Sequence, residues 1–492
     1  MAGPVGAFGK SMVALLAASL AGCVAVPASS GSSDQLVLDH VDVVDVRDGT
    51  VARDRAIVIA DGKIVRIVAA GSVKSGRAAA RVDGRGAYVV PGFNDMHAHN
   101  LNTASPETSL PAMLASGVTG FRQMAPANPV AEADLASPSA PALLGKPGRL
   151  LAGPAFAAPA AAKAEVDRQK AAGVDFVKVV DLPAPAFLAA ADAAHSAGLP
   201  FAGHLPATVD PRAAIRARMS AIEHMGPTIS LLLACSRDEA PIRAILAALP
   251  PGPGLDFNME PARLQRLLAN PVLLTPPQGF ALIRRVLATY DDAKCHIFAA
   301  ELATSDTWVV PTLTRLEAMN LGNSVELRDN PDLQWVPEAS RQLWREVGTD
   351  FDAKLSAEQR QVLTDLYAAQ LALTGLFDRA GVKMMAGTDF GGQWIVPGRS
   401  LHREFDLLAR AGVPPLRILQ MATLGPARFL GREASMGSVE AGRNADLVLL
   451  DGDPRASVAN LHRIAGVVRA GRYLSRGELD ALSAELAVKL RR

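Results

Sequence analysis

Two histidines stand two residues apart in His97-Ala98-His99, directly after the apolar run Val89-Val90-Pro91-Gly92-Phe93 and Asn94-Asp95-Met96. Side chains two apart on a strand leave the same face, so both imidazoles can reach one metal ion. Alone, such a pair is a weak signal. His204, His224 and Asp389 strengthen it, because each ends a separate apolar segment that reads as a strand. Four imidazoles and a carboxylate suit a borderline or hard divalent ion such as zinc or manganese. Lys178 is the odd member, set in Phe176-Val177-Lys178-Val179-Val180. A lysine in a buried strand needs a reason. One is an ion pair with the aspartate. The other is carboxylation of its amine by carbon dioxide, giving a carbamate able to bridge two metal ions ~3.5–4 Å apart. Burial near cations lowers lysine basicity and so supplies the uncharged amine this needs.

The elements that position these residues follow a rhythm. An Ala-rich helical stretch ends, often at a glycine, and an apolar strand with a polar end follows. Ser116-Gly117, Ala172-Gly173, Ala197-Gly198 and Ala380-Gly381 all lead into such strands. Glycine just past a helix takes the left-handed cap conformation at little cost, and helix–strand alternation calls for a parallel sheet. Eight strands are expected, ending near His99, Gln123, Ala155, Lys178, His204, His224, Thr312 and Asp389. That count predicts an α/β fold, a TIM (β/α)8 barrel, with its active site at the carboxyl ends of the strands. Residues 126–159 read as a loop-dominated link. Two helical insertions, at about 228–303 and 314–378, either shape a pocket above the barrel or scaffold its outer wall. Short apolar runs between turn signals, at residues 36–73 and again at 445–468, predict a small composite β-sandwich domain, residues 35–85 and 435–492, built from both chain ends around the barrel of residues 86–434. Arg122, ending strand two, and His402, just beyond strand eight, are candidates for substrate contact. The alternatives are a structural ion pair for Arg122 and an ordinary helix position for His402.

The 492 residues carry 50 Lys plus Arg against 49 Asp plus Glu, a formal net charge of +1. A nucleic-acid-binding protein would need a basic excess, so no nucleic-acid partner is expected, and the chemistry points to a small-molecule substrate. A hydrophobic fraction of 49% is ample for a buried core and excludes disorder of the whole chain. Lys10 precedes a short apolar run ending in Leu20-Ala21-Gly22-Cys23. The run is too short for a membrane span of ~20 residues but suits a secretory signal. The last four residues resemble the bacterial lipobox. The expectation is a signal peptide over residues 1–22, a lipid anchor on Cys23, a tether over residues 23–34, and a periplasmic or outer-membrane lipoprotein. Cys235 and Cys295 form either a disulfide, allowed in an oxidising compartment, or two buried thiols. Assembly into a homo-oligomer is left open.

Together, residues 90–99, Phe176-Val177-Lys178-Val179-Val180, Gly203-His204, Ile222-Glu223-His224 and Ala386-Gly387-Thr388-Asp389 resemble the metal motifs of the amidohydrolase superfamily, nearest its prolidase-like and imidazolonepropionase-like branch. Residues 438–448 resemble that family's return into its β-sandwich. The resemblance covers about residues 35–475. It implies that His97, His99 and Asp389 hold a more buried ion, that His204 and His224 hold a more exposed one, and that a carboxylated Lys178 and a hydroxide bridge them. Zinc is the expected metal. Asp389 would move the proton, and Asp389 and His224 are the residues the resemblance assigns to catalysis. The implied activity is hydrolysis of an amide bond in a small peptide or N-acyl amino acid. Alternatives are an esterase, lactonase or phosphotriesterase on the same site, or a non-catalytic metal-binding lipoprotein. Two departures, Gln123 where the branch usually has aspartate and His204-Leu205-Pro206 where it often has His-Ala-His, remove no ligand but weaken any transfer of substrate preference.

Overall fold

A computed structural model describes residues 35–74, 79–102, 106–226, 228–248 and 259–491. The signal segment, the tether and Cys23 lie outside the described residues. Among the described residues there are sixteen strands: β1 Gln35–Val44, β2 Val51–Ala60, β3 Lys63–Ala69, β4 Ala79–Asp83, β5 Tyr88–Pro91, β6 Phe93–Ala98, β7 Val118–Gln123, β8 Ala142–Gly145, β9 Leu151–Ala152, β10 Val177–Asp181, β11 Phe201–Gly203, β12 Ala221–Glu223, β13 Trp308–Val310, β14 Leu447–Leu450, β15 Ile464–Arg469 and β16 Arg472–Ser475.

Strands from the two chain ends meet. β16-β15-β14-β5-β1-β2-β3 run side by side, with β4 also paired to β1, in one eight-stranded mixed sheet. Its core joins Leu36, Leu38, Ile57 and Ile59 to Leu447, Leu449 and Val468. The Asp61-Gly62 turn between β2 and β3 has φ of 52° and 70°, the left-handed pair a tight hairpin requires. The small β unit is thus present as a single sheet drawn from both ends.

The remaining strands are parallel and fall in two sheets, β6-β7-β8 and β9-β10-β11-β12-β13. Single bridges connect what the ladders do not. Pro147 pairs with Phe176 between the sheets, Val309 with Met384, and Phe390 with Ala98. The segment expected as an eighth strand therefore lies between β13 and β6, held by bridges rather than a ladder, and no closed ladder runs round the set. β8 is a strand inside the 126–159 region that the sequence suggested was a loop. Its Ala-Leu-Leu-Gly core is only four residues long and flanked by proline-rich turns, too short to show a period. Gly117, Gly173, Gly198 and Gly381 all adopt positive φ, as the cap argument requires.

Both insertions are helical. The first holds helices Pro261–Ala269, Pro277–Ala288 and Asp292–Thr304, and the second holds Leu313–Leu321, Glu338–Lys354 and Ala357–Ala380. A capping box of Ser356 and Gln359 opens the last of these. Cys235 and Cys295 are joined by a disulfide. No described helix is long and apolar enough to cross a membrane.

Candidate metal centre

The ends of the parallel strands bring the expected donors together. His97, at the end of β6, stacks its ring within 5.4 Å of His99 and 4.5 Å of His224, and His224 lies 4.9 Å from His204. Asp389 closes the group. Its Oδ1 is 3.1 Å from His97 Nε2 and 3.0 Å from His99 Nε2, and its Oδ2 is 3.9 Å from His224 Nε2. The donor atoms of His97, His99 and Asp389 lie within 4.8 Å of one another. Lys178 is buried at the same centre, within electrostatic reach of Asp389 and His204.

Partners outside the group fix how the imidazoles face it. His97 Nδ1 lies 2.8 Å from Glu223 Oε2, so Nδ1 carries the proton and the Nε2 lone pair points inward. His224 Nδ1 lies 2.7 Å from Thr312 Oγ1, which turns its Nε2 inward too. Two buried atoms in the group have no hydrogen-bond partner, His97 Nε2 and Lys178 Nζ. Although His97 Nε2 faces Asp389, it lies outside hydrogen-bonding geometry. Orphaned buried polar atoms are costly, and a cation at this spot would relieve one of them directly. The donor set fits a divalent metal ion.

Protonation states fit as well. Burial holds His99 below the usual histidine value and His204 and His224 well below it, so these imidazoles are neutral and their lone pairs free. Burial alone would raise the Asp389 carboxyl, but His97 and His224 hold it well below the ordinary aspartate value. Burial lowers Lys178 to about 8, against the opposing pull of Glu223 and Asp389.

The strand ends are unusual in their backbone. His224 and Thr312, just past the ends of β12 and β13, and Asp389, in the bridged eighth segment, have φ of 58°, 47° and 58°. Non-glycine residues rarely adopt this region, and a β-branched one such as threonine hardly ever.

Both candidates for substrate contact fall to their structural alternatives. Arg122 does not offer its guanidinium to a substrate. It is 1% exposed, its Nη2 donates to Glu223 Oε1 at 2.7 Å and its Nε to the Met96 carbonyl at 2.7 Å, and the Phe176 and Phe429 rings flank it. It is the structural ion pair. His402 is elsewhere. Its Nε2 bonds the Ser116 carbonyl at 2.8 Å and its ring meets Phe93 and Phe405. Ser116 precedes β7 and Phe93 opens β6, so His402 packs against the starts of these strands while the donors sit at their ends. Gln123 orders the neighbourhood, accepting from the Leu101 N–H at 3.2 Å.

Sequence reasoning missed Glu223 and Arg315. Glu223 is fully buried and held down to about 2, where burial opposes and Arg122 and His97 drive the shift. Its signal was a carboxylate inside the apolar strand Ala221-Ile222-Glu223, which demands a partner. Arg315 Nε lies 3.1 Å from Asp389 Oδ2. Nothing in its local sequence marks it.

A family model described as "Amidohydrolase family" matches residues 366–474, the stretch that contributes Asp389 and the returning β14 and β15. Bottromycin amidohydrolase superposes with a TM-score of 0.68 at 23% identity, over 93% of this chain and 91% of that one. Over residues 366–474 the chain is similar to the amidohydrolase family, and the superposition shows that it shares the fold of that solved amidohydrolase. Other solved structures share its fold. A prolidase solved with N-methylphosphonate-L-proline gives a TM-score of 0.58 at 18% identity, over 90% of this chain and all of the other. A Xaa-Pro dipeptidase with bound methionine gives 0.57 at 17%, with 90% and 100% covered. In sequence, the 5-methylthioadenosine/S-adenosylhomocysteine deaminase of Moorella thermoacetica is 32% identical over 134 residues. The chain covers 29% of that relative's length, and the match takes in 22% of its own.

Proposed function

We propose that the chain is a metal-dependent hydrolase that cleaves a carbon–nitrogen bond, an amide of a small peptide or N-acyl amino acid, at a two-metal site. The carrying observation is the pair of buried, unpartnered nitrogens, His97 Nε2 and Lys178 Nζ, inside a ring of inward-facing imidazoles and one ionised carboxylate. His97, His99 and Asp389 would hold one ion and His204 and His224 the other, with Lys178, carboxylated by carbon dioxide, between them. Bound divalent ions would supply Lewis-acid polarisation of the scissile carbonyl and lower the pKa of the attacking water.

The chain's own groups do the rest. Glu223 keeps the proton of His97 on Nδ1, and Thr312 does the same for His224. Asp389, ionised at neutral pH, accepts the proton of the attacking water and returns it to the departing nitrogen. Lys178, lowered to about 8, keeps a fraction of free amine near neutral pH to combine with carbon dioxide. Arg122 compensates the buried Glu223 carboxylate.

In this reading β6, β7, β8, β10, β11, β12, β13 and the bridged segment form an eight-stranded β/α barrel of residues 86–434, with the two-residue β9 beside β10 as an addition, and the mixed sheet is the composite β domain. The leading residues 1–22 are an export signal with a lipid anchor on Cys23, and the Cys235–Cys295 disulfide suits such a compartment. Deamination is the second reading, favoured by the short match to the deaminase.

The test is zinc analysis of the purified protein together with turnover of a panel of dipeptides, N-acyl amino acids, esters, lactones and adenosine analogues. Amide cleavage with two zinc ions per chain, both lost in Lys178→Ala, is expected. A protein inactive after addition of zinc and bicarbonate refutes the hydrolase, and release of ammonia from the adenosine analogues alone replaces it with the deaminase.

A further inference from the structure

We propose that Arg315 is a positioning residue for Asp389, and that through it both helical insertions fix the acid–base group of the site. This rests on the hydrolase reading above.

Arg315 lies one turn into the helix Leu313–Leu321, which leaves directly from the end of β13, and only 5% of it is exposed. Three of its nitrogens have separate partners. Nε faces Asp389 Oδ2 at 3.1 Å. Nη1 donates to the Ala269 carbonyl at 2.8 Å and Nη2 to the Leu268 carbonyl at 2.6 Å. Those carbonyls end the helix Pro261–Ala269, where backbone oxygens lack intrahelical partners and the helix dipole favours a cation. One guanidinium therefore joins the first insertion, the second insertion and the carboxylate.

The joint is locked from several sides. Asn270, next after those carbonyls, donates to the Met319 carbonyl at 3.2 Å and to Gln393 Oε1 at 3.3 Å. Gln393 donates in turn to the Trp344 carbonyl at 2.8 Å. Gly392 presses on the guanidinium, and a Cβ there would strike Arg315 Nη1.

The two oxygens of Asp389 consequently have different surroundings. Oδ1 faces the Nε2 atoms of His97 and His99, and Oδ2 faces Arg315. A guanidinium is planar and permanently charged, so it fixes the plane of the carboxylate as well as its place. Freed from it, the carboxylate can turn about its last torsion and present either oxygen to the imidazoles.

The test uses the full chain, zinc as the metal probe, and the panel substrate that the wild type turns over best. Arg315→Gln is expected to keep the wild-type zinc content, keep KM within about threefold and lower kcat about 10–100-fold, the range for residues that orient ligands. Arg315→Lys recovers part of the loss because it keeps the charge but not the fork. Gly392→Ala, which leaves Arg315 in the sequence but displaces its guanidinium, lowers kcat in the same way. In zinc-free protein, Arg315→Gln and Asp389→Asn shift the urea midpoint non-additively. The proposal is overturned if Arg315→Gln and Gly392→Ala turn over within threefold of the wild type, if the loss lies in KM, or if added zinc restores kcat. A wild type with neither zinc nor turnover instead overturns the hydrolase reading, and this proposal falls with it.

Discussion

Replacing Glu223 by glutamine tests the buried charge network directly. The carboxylate is fully buried, 2.7 Å from Arg122 Nη2 and 2.8 Å from His97 Nδ1. Glutamine keeps the shape and an acceptor for His97 but removes the charge. Arg122 is then a buried cation with only the Met96 carbonyl and two aromatic rings beside it. Removing one partner of a buried pair costs about 3–5 kcal/mol, mostly from the charge left behind, whereas removing both is much milder. Glu223→Gln and Arg122→Met should each destabilise by about that amount, and the double variant should fall at least about 2 kcal/mol short of their sum. The assay is equilibrium urea unfolding of the three variants and the wild type, without zinc and at pH 7. Zinc competition against a chelator then reads the metal side, where Glu223→Gln is expected to lose about 10–100-fold in affinity through a less firmly oriented His97. Additive losses, or a loss below about 1 kcal/mol for Glu223→Gln, would refute the network as drawn.

Thr312→Val keeps the shape of the side chain but removes the hydroxyl at His224 Nδ1, and a roughly 10–100-fold loss in kcat or zinc affinity is expected. His402 is partly buried and lowered to about 4 from 6.5, by burial first and by His462 next. Its unfolded form takes up a proton as pH falls below 6.5 while its folded form does not until about 4. Folding stability is therefore lost across that window, by about 3 kcal/mol, and the urea midpoint of His402→Gln should fall less steeply there. The Cys235–Cys295 disulfide spans 60 residues, for which the chain-entropy relation gives about 4 kcal/mol. A double serine variant that unfolds at the wild-type urea concentration would contradict that figure.

The donors were legible because metal chemistry uses few residue types and strand alternation restricts where they point. His97, His99, Lys178, His204, His224 and Asp389 converge as their placement at strand ends implies. Helix-capping glycines were legible for a similar reason, since one conformation calls for one residue. Arg122 and His402 stayed open between two roles because a charged or polar side chain reads the same in sequence whether it faces a cleft or a partner. Glu223, 101 positions from Arg122 in the chain, shows how such a pair escapes local patterns. Arg315 was hidden more deeply, because its partners are the backbone carbonyls of Leu268 and Ala269, and carbonyls carry no sequence identity. β8 was hidden by its shortness.

The left-handed backbone at His224, Thr312 and Asp389 has a consequence for how this chain can change over time. Each such residue costs on the order of 1–3 kcal/mol, and glycine would relieve it at once. At all three positions the relaxed alternative is thermodynamically downhill and chemically mute, since it deletes an imidazole, its orienting hydroxyl or the carboxylate. Relaxing the backbone at these strand ends therefore runs through the loss of the site, so the three positions trade folding stability for the placement of their side chains.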